Sequence, residues 1–246
     1  MSINSNHTFF IENKFIYQFL KPYLNKRYGR SKIISFESIE AENLENFYIF
    51  KTNFFRRLIF LMLDTDYVIC STPDLNNSIF QKSKNKKCKY IYIQHSPLSL
   101  THIYDKSAFL DFDVVQAVNK FQRKEIYEIN RIYKKNIKVF KSKYLFLENK
   151  KKNSSKIGFF KKRVLIAPTW HTNFYEANLH ILIANLLKKN SINYVLRPHP
   201  MSLKKKEISV QDLFKNNIDV DLNDEVNLEE FDNLISDWSG IFIEFA

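Results

Sequence analysis

Short runs of β-branched and aromatic residues alternate along this chain with segments whose apolar residues recur at helical spacing. The runs that we predict to be strands are 67–70, 90–93, 114–118, 163–167, 194–197 and 234–235. The segments that we predict to be helices are 53–63, 121–133, 177–189 and 211–215. Strands that are separated by helices usually pair in parallel, so the alternation predicts an α/β protein built on mainly parallel sheets.

The apolar periodicity lapses between Lys141 and Lys162, where lysines surround Asn153-Ser154-Ser155 and Gly158. Such a composition is typical of an interdomain linker. We therefore predict a boundary near residue 155, with one α/β lobe over residues 1–155 and a second over residues 156–246. A chain of 246 residues is long enough for two modest lobes of this kind.

The chain is strongly basic, with 38 Lys and Arg against 26 Asp and Glu and a formal net charge of +12. This excess speeds the encounter with any polyanion, whether nucleic acid, anionic lipid or a phosphate-rich polymer. The positive charge is concentrated in the runs Lys82–Lys89, Lys150–Lys152, Lys161–Arg163 and Lys204–Lys206, which solvated loops would also explain. The aromatic residues follow core periodicity and no RNA-recognition or zinc-finger motif is present, so we expect no nucleic-acid partner.

The two cysteines, Cys70 and Cys88, form no Cys-X-X-Cys pair, and the N-terminus carries no secretory signal. We therefore expect a reduced cytoplasmic protein. The longest apolar stretch, Leu58–Leu63, is too short to span a bilayer and is typical of an ordinary core helix, with a helix that lies flat on a membrane surface as the alternative. Any membrane contact would then be peripheral, on the inner face of the cell membrane. No acidic cluster suggests a metal site, and we expect no cofactor.

Three predicted strand ends carry unusual polar motifs. These are Gln94-His95-Ser96-Pro97, Arg197-Pro198-His199-Pro200 and Ser236-Asp237-Trp238-Ser239-Gly240. In parallel α/β sheets, ligands bind outside the carboxyl ends of the strands, where loops and helix N-termini converge. Polar residues at these ends are therefore candidates for a functional site.

His95 directly follows a predicted strand, and Pro97 restricts the backbone and disfavours a helix at Ser96. The imidazole is thus held in a rigid turn. A histidine in such a place can act as a general base on an acceptor hydroxyl. A structural histidine that is hydrogen-bonded by the loop backbone is the alternative interpretation.

Arg197 and His199 lie in a loop that two prolines stiffen. Arginine offers a permanently charged, bidentate fork that suits phosphate oxygens, so the pair is a candidate phosphate clamp. A tight structural turn with a surface arginine would have the same sequence.

The run from Ser236 to Gly240 supplies helix-capping residues before the apolar residues Ile241–Ile243, so a helix is predicted to begin here. Free amides and the positive end of the helix dipole would make this start an anion site, to which Ser239 would add a hydroxyl. Ordinary capping also explains the serines and the aspartate. Thr169 and His171, after another predicted strand, are further candidates for the same site, and a role in loop packing around the bulky Trp170 between them is the alternative.

Taken in this order, the segments resemble the CDP-glycerol glycerophosphotransferase family, which includes the polymerases and primases of teichoic acid and related capsule synthesis. The resemblance covers roughly residues 66–246. The motifs that carry it are Tyr92–Pro97, Val164–Trp170, Arg197–Pro200 and Ile235–Ser239. It implies a two-lobed GT-B architecture of Rossmann-like lobes, with the active site in the cleft between them.

The resemblance also implies roles for individual residues. By position, His95 matches the family histidine that acts as base on the acceptor hydroxyl, and His199 matches a second essential histidine near the donor phosphates. Arg197, Ser236, Asp237, Ser239 and Gly240 would bind the donor pyrophosphate, and Glu244 would meet ribose or glycerol hydroxyls. The remaining residues expected to line the cleft are Gln94, Ser96, Thr169 and His171. Members usually continue past this point whereas the sequence ends at Ala246, which implies a truncated C-terminal lobe.

The reaction implied is transfer of an alditol phosphate. A hydroxyl of a lipid-linked or polymeric acceptor would attack the β-phosphorus of CDP-glycerol or a related CDP-alditol, His95 would take the proton, and CMP would leave. One alternative is a GT-B sugar transferase that uses a nucleotide sugar in surface polysaccharide synthesis. Another is an inactive truncated paralogue.

Overall fold

The structure, a computed structural model, describes residues 6–24, 31–38, 47–49, 53–75, 80–145, 163–170, 173–223, 226–237 and 239–245. The chain divides into two compact units, Met1–Lys152 and Asn153–Ala246. The boundary that the sequence predicts, near residue 155, lies outside the described residues.

The N-terminal unit is built on a parallel sheet of seven described strands. These are β1 (His7–Ile11), β2 (Lys32–Ser35), β3 (Phe47–Ile49), β4 (Tyr67–Cys70), β5 (Lys89–Tyr92), β6 (Val114–Ala117) and β7 (Lys138–Lys141). Their order is β3-β2-β1-β4-β5-β6-β7, so the chain first builds outward from β1 and then returns to add β4 on its other side. In doubly wound sheets, ligands bind at the carboxyl ends of the strands close to that switch point.

Helices cover the sheet of the N-terminal unit. Those within the described residues are α1 (Lys14–Leu24), α2 (Asn53–Met62), α3 (Leu100–Ile103) and α4 (Lys120–Tyr133), with a 3-10 turn at Lys106–Phe109. The helix α4 begins where the Asn119 side chain accepts a hydrogen bond from the backbone N–H of Gln122, and it ends at Lys134 with a φ of 50°. Both are ordinary helix-end devices, a polar N-cap and a left-handed residue after the last turn.

The inner strands of this sheet are largely apolar on both faces because each face is covered, whereas the edge strand β7 is mostly exposed. Successive side chains on a strand point to opposite sides, so Phe9 and Phe10 enter two different cores. On one side Phe10 packs with Phe60 from α2, and on the other Phe9 packs with Phe19 from α1. This two-sided burial is what makes the strands continuous hydrophobic runs in the sequence.

The helix α2 contains most of the longest apolar stretch in the sequence, and it packs by one side only. Phe60 is buried in the core, whereas Phe54, Leu58 and Met62 are exposed. Within the described parts of the chain, no helix combines the length and the hydrophobicity that crossing a bilayer would require.

The C-terminal unit has a smaller parallel sheet. The described strands are β8 (Arg163–Ile166), β9 (Asn193–Leu196) and β10 (Asn233–Ile235), in the order β10-β8-β9. The helices are α5 (Leu179–Lys189), α6 (Pro200–Lys204), α7 (Val210–Lys215) and α8 (Ile241–Phe245), with a 3-10 turn at Leu228–Glu230. Leu196 and Leu213 are fully buried in the core of this unit.

The predicted α/β architecture with parallel sheets is confirmed, and the predicted elements agree with the observed ones to within two residues at each end. Sequence analysis does not predict β1, α1, β2 or β3, since it assigns no element to the first fifty residues, and it does not predict α3 or β7. It also misses α6, since it treats Pro200 as a turn residue. Proline fits the first position of a helix because the N–H that it lacks has no partner there.

Candidate functional site

Polar residues gather at the carboxyl ends of neighbouring strands in the N-terminal unit. Glu12 follows β1, Ser71 follows β4, His95 follows β5 and Asn119 follows β6. The hydroxyl of Thr72 donates to a carboxylate oxygen of Glu12 at 3.1 Å, which ties the first two strand ends together. This edge of the sheet adjoins the switch point between β1 and β4, where the fold favours ligand binding.

His95 is held at this edge from several directions. Its Nδ1 lies 3.0 Å from Oγ of Ser71, and its backbone carbonyl accepts a hydrogen bond of 2.9 Å from the Tyr144 hydroxyl. Among the described residues, three aromatic rings meet the imidazole edge to face, with centroid distances of 6.1 to 6.5 Å: Phe15, Phe19 and Tyr104. The side chain is therefore fixed in position, as a general base must be.

The loop that carries His95 is anchored by the start of α4. The fully buried side chain of Gln122 donates from Nε2 to the carbonyls of Ser96 and Leu98, at 3.1 and 2.7 Å. Asn119 donates to the carbonyl of Pro97 at 2.7 Å. The Ser96 hydroxyl accepts from the N–H of Leu98 at 3.3 Å, which is a contact within the loop.

Gln94 is fully buried, and its Oε1 accepts a hydrogen bond of 2.7 Å from the Tyr92 hydroxyl. In this position it braces the end of β5 from inside the core. The sequence-based expectation that it lines the site on the ligand side stays a prediction.

In the C-terminal unit, His199 precedes α6 and caps it. Its Nδ1 accepts a hydrogen bond of 3.1 Å from the N–H of Met201, so the neutral imidazole carries its proton on Nε2. Burial lowers the pKa of His199 from the ordinary 6.5 to about 4, although the carboxylates of Glu207 and Asp237 act in the opposite direction. At neutral pH this histidine is therefore an uncharged hydrogen-bond donor.

Arg197, the predicted phosphate ligand, already has a carboxylate partner. Its Nη1 lies 2.7 Å from Oδ2 of Asp221, and both side chains are largely buried. A guanidinium has five N–H donors, so one ion pair does not exhaust its capacity for a phosphate. Its role toward a donor stays a prediction.

The Ser236 and Asp237 side chains bond across the sheet edge. The Ser236 hydroxyl donates to the carbonyl of Ala167 at 2.7 Å, and Oδ1 of Asp237 accepts from the N–H of Thr169 at 2.8 Å. These bonds join the segments that follow β8 and β10. The capping role that the sequence suggests for these two residues is thus replaced by a bridge between strand ends.

The helix predicted after this motif is present as α8. The carbonyls of Ser239 and Gly240 accept from Phe242 and Ile243, at 3.3 and 3.1 Å, and Glu244 lies half-buried on the helix. His171, another predicted site residue, lies outside the described residues. The ring centre of the neighbouring Trp170 lies 6.4 Å from that of His199. The ammonium of Lys205 lies 4.3 Å from the ring centre of Trp170.

The structure brings one set of predicted residues together in each unit. In the N-terminal unit this set is Gln94, His95 and Ser96. In the C-terminal unit Thr169 contacts Asp237, and His199 lies within electrostatic range of Arg197 and Asp237. The described residues contain no group of three or more His, Cys, Asp and Glu side chains that could hold a metal ion.

Sequence analysis misses several residues at these sites. Ser71 and Gln122 support the His95 loop, Glu12 accepts a hydrogen bond from Thr72 at the neighbouring strand end, and Asp221 partners Arg197. Tyr175 is a further case, since its buried hydroxyl has no hydrogen-bond partner among the described residues and its pKa is raised by burial and by the nearby Glu207 and Asp237. Ser71 could have been found by applying the strand-end rule to β4, whereas Glu12 follows β1, a strand that the sequence analysis does not predict.

Comparisons with known proteins identify the fold. No family model matches the chain, and no curated protein matches it in sequence. Solved structures do match. The wall teichoic acid polymerase TagF, as a histidine variant soaked with CDPG, aligns with a TM-score of 0.57 and 14% identity over 100% of this chain and 68% of that one.

Two further solved structures have the same fold at similarly low sequence identity. A second histidine variant of TagF aligns with a TM-score of 0.58 and 13% identity, over 100% of this chain and 68% of that one. The UDP-N-acetylglucosamine 2-epimerase of Rickettsia bellii aligns with a TM-score of 0.61 and 12% identity, over 98% of this chain and 76% of that one. At such low identity the likeness concerns the fold, which is of the GT-B type.

Proposed function

We propose that this protein transfers an alditol phosphate, with glycerol phosphate as the first candidate, from a CDP-activated donor to a hydroxyl of a cell-surface glycopolymer or a lipid-linked acceptor. One observation carries the proposal. In a fold shared with TagF, a firmly held histidine stands at the carboxyl end of a central parallel strand in the N-terminal unit. The C-terminal unit adds a second histidine, placed after a parallel strand and near Arg197.

The proposed chemistry needs one base and one set of phosphate ligands. The acceptor oxygen forms a bond to the β-phosphorus, the bond from that phosphorus to the CMP oxygen breaks, and His95 takes the proton of the hydroxyl. CMP leaves with the electron pair of the broken bond. No covalent intermediate with the protein is required.

His199 suits the second role because it is neutral. A histidine with a pKa of about 4 does not hold a positive charge at neutral pH, so it would contribute an N–H donor to a phosphate oxygen instead of an ion pair. Arg197 supplies the positive charge in its vicinity. Ser239 and Gly240 would complete the phosphate ligands at the start of α8. Preorganised donors of this kind stabilise the charge that develops during phosphoryl transfer.

A nucleotide-sugar donor is the second candidate. It is favoured by the likeness to UDP-N-acetylglucosamine 2-epimerase, whose TM-score of 0.61 is above the 0.57 of the TagF structure. In that case the protein would be a glycosyltransferase of surface polysaccharide synthesis, and it would release UDP or another nucleoside diphosphate in place of CMP.

The released nucleotide distinguishes the two candidates. The purified protein is incubated with a lipid-linked saccharide acceptor and, in separate reactions, with CDP-glycerol, CDP-ribitol and a set of UDP-sugars. We expect CMP to form from a CDP-alditol and only when acceptor is present. UDP release without CMP release would replace the proposal with the glycosyltransferase. Release of neither nucleotide would contradict both and favour the inactive paralogue.

A further inference from the structure

A buried serine stands between two strand ends and contacts the proposed base. Ser71 follows β4 and is 1% exposed. Its Oγ lies 2.7 Å from the carbonyl oxygen of Ile93 and 3.0 Å from Nδ1 of His95. The two strands are themselves joined here, since the N–H of Ile93 donates to the carbonyl of Cys70 at 2.8 Å. The serine is therefore part of the rigid sheet edge.

The hydroxyl proton of Ser71 can serve only one of these two contacts. The carbonyl of Ile93 is an acceptor and has no proton to give, so the bond of 2.7 Å exists only if Ser71 donates it. The same oxygen must then accept from His95. We propose that Ser71 fixes His95 in the tautomer that carries its proton on Nδ1, which makes Nε2 the basic nitrogen.

The opposite arrangement is unfavourable. If Ser71 donated to Nδ1, its oxygen and that of Ile93 would face each other at 2.7 Å with no hydrogen between them. Both oxygens carry partial negative charge in a buried place, where an unsatisfied polar contact costs about 1–3 kcal/mol. The Tyr144 hydroxyl, bonded to the carbonyl of His95, limits any shift of the histidine backbone that could relieve this contact.

The second histidine, His199, holds the opposite tautomer. Nδ1 of His199 accepts from the N–H of Met201, which places the proton of the neutral ring on Nε2. The two histidines therefore hold opposite tautomers. His95 offers a lone pair on Nε2, as a base requires, and His199 offers an N–H at the same ring position, as a phosphate ligand requires.

The catalytic meaning of this arrangement rests on the proposed function, whereas the tautomer itself does not. When Nε2 of His95 takes a proton, the imidazolium keeps its Nδ1–H bond to Ser71, so the ring need not turn during the reaction. Ser71 is thus a positioning residue that acts through His95 and does not touch the substrate. Its loss would allow the ring to adopt the other tautomer or to rotate.

Proton–nitrogen correlation spectra of isotope-labelled protein read the tautomer directly. The chain has six histidines, and the His95 and His199 signals are assigned from the spectra of the His95→Gln and His199→Asn variants. We expect Nδ1 protonation at His95 and Nε2 protonation at His199 at neutral pH. Nε2 protonation at His95 in the wild-type protein would overturn the proposal.

Variants of Ser71 test the cause. In Ser71→Ala, His95 should move toward the Nε2-protonated form, and Ser71→Thr should restore the wild-type spectrum. The matched control is Ser35→Ala, because Ser35 is equally buried at the end of β2 and donates to the carbonyl of Glu37 at 2.9 Å. It should leave the His95 tautomer unchanged. An unchanged tautomer in Ser71→Ala would also overturn the proposal.

The kinetic consequence is measured separately. If the protein transfers glycerol phosphate, Ser71→Ala should lower kcat by ~10²-fold, toward the lower limit of a general-base contribution, with little change in KM. If the wild-type protein transfers nothing, the proposed function fails while the tautomer measurement still decides the role of Ser71. An unchanged kcat beside an altered tautomer would refute the positioning role.

Discussion

The guanidinium of Arg197 and the carboxylate of Asp221 form an ion pair of 2.7 Å, with only 16% and 14% of the two side chains exposed. Oδ1 of the same aspartate accepts from the N–H of Asn223 at 2.9 Å. The arginine is therefore oriented by the protein before any ligand arrives. Such preorientation reduces the ordering that binding of a phosphate would otherwise require.

Replacing Asp221 should destabilise the C-terminal unit. In Asp221→Asn the guanidinium loses the negative charge of Asp221 in a largely buried place, and we expect a loss of about 3 kcal/mol in the free energy of unfolding. The measurement is urea unfolding followed by tryptophan fluorescence. Both tryptophans, Trp170 and Trp238, belong to this unit, so the signal reports on it.

The control uses a more exposed pair in the same unit. Arg163 and Glu230 lie 3.0 Å apart with 36% and 48% of their side chains exposed, so Glu230→Gln should cost less than about 0.5 kcal/mol. Equal losses in the two variants would show that burial does not govern the strength of these pairs.

The low pKa of His199 should make stability depend on pH. Burial lowers the pKa of His199 in the folded protein to about 4 from the ordinary 6.5. At a pH between these two values, His199 therefore binds a proton in the unfolded chain but not in the folded protein. The free energy of unfolding is therefore unaffected by this histidine above pH 6.5, and it decreases as the pH is lowered from 6.5 toward 4. In His199→Asn, which keeps a capping side chain, the slope should decrease by up to about 1.4 kcal/mol per pH unit.

The pH series is run as urea unfolding from pH 4 to pH 7 on the wild-type protein and the variant. The control is His102→Gln, which removes an exposed histidine from α3. It should leave the slope close to that of the wild type. A His199→Asn variant with the wild-type slope would show that His199 does not have a depressed pKa.

Two amide side chains on α4, those of Gln122 and Asn130, hold backbone groups of other segments, but only Gln122 holds the His95 loop. Variants of the two residues therefore distinguish an effect on this loop from an effect on overall stability. Gln122 holds the carbonyls of Ser96 and Leu98, whereas Asn130 holds the N–H and carbonyl of Ile137, each at 2.9 Å. We expect Gln122→Ala and Asn130→Ala each to lose about 1–3 kcal/mol in the free energy of unfolding, since each removes hydrogen bonds to partly buried backbone groups. Urea unfolding measures this loss.

Only one of these variants should affect the candidate site. Gln122→Ala should shift the imidazole signals of His95 and lower the turnover, while Asn130→Ala should change neither. If both variants shifted the His95 signals equally, the loop would depend on the whole helix and not on Gln122.

The strand ends could be predicted from the sequence because the signals are local. The buried run Val114–Ala117 is followed by the capping residue Asn119. This pattern indicates both where the strand ends and where the next helix begins. The same local signals place His95 and His199 directly after strands. A run of mixed composition such as β7, with two lysines around Val139 and Phe140, gives no such signal.

The partners of these residues could not be predicted because they come from elsewhere in the chain. Ser71 and His95 are 24 residues apart, and so are Arg197 and Asp221. Their contacts depend on strand order and register, which local patterns do not specify. For the same reason, sequence alone could not show that Ser236 and Asp237 bridge to the end of β8 instead of capping a helix.

The role of His95 as the base is tested by comparing the wild-type protein with His95→Ala. The quantity measured is the rate at which CMP forms from CDP-glycerol in the presence of a lipid-linked acceptor. His102→Ala serves as the control, and circular dichroism verifies that each variant is folded. We predict that His95→Ala lowers the rate by at least about 10²-fold and that His102→Ala leaves it unchanged. A folded His95→Ala variant that forms CMP at the wild-type rate would contradict the account.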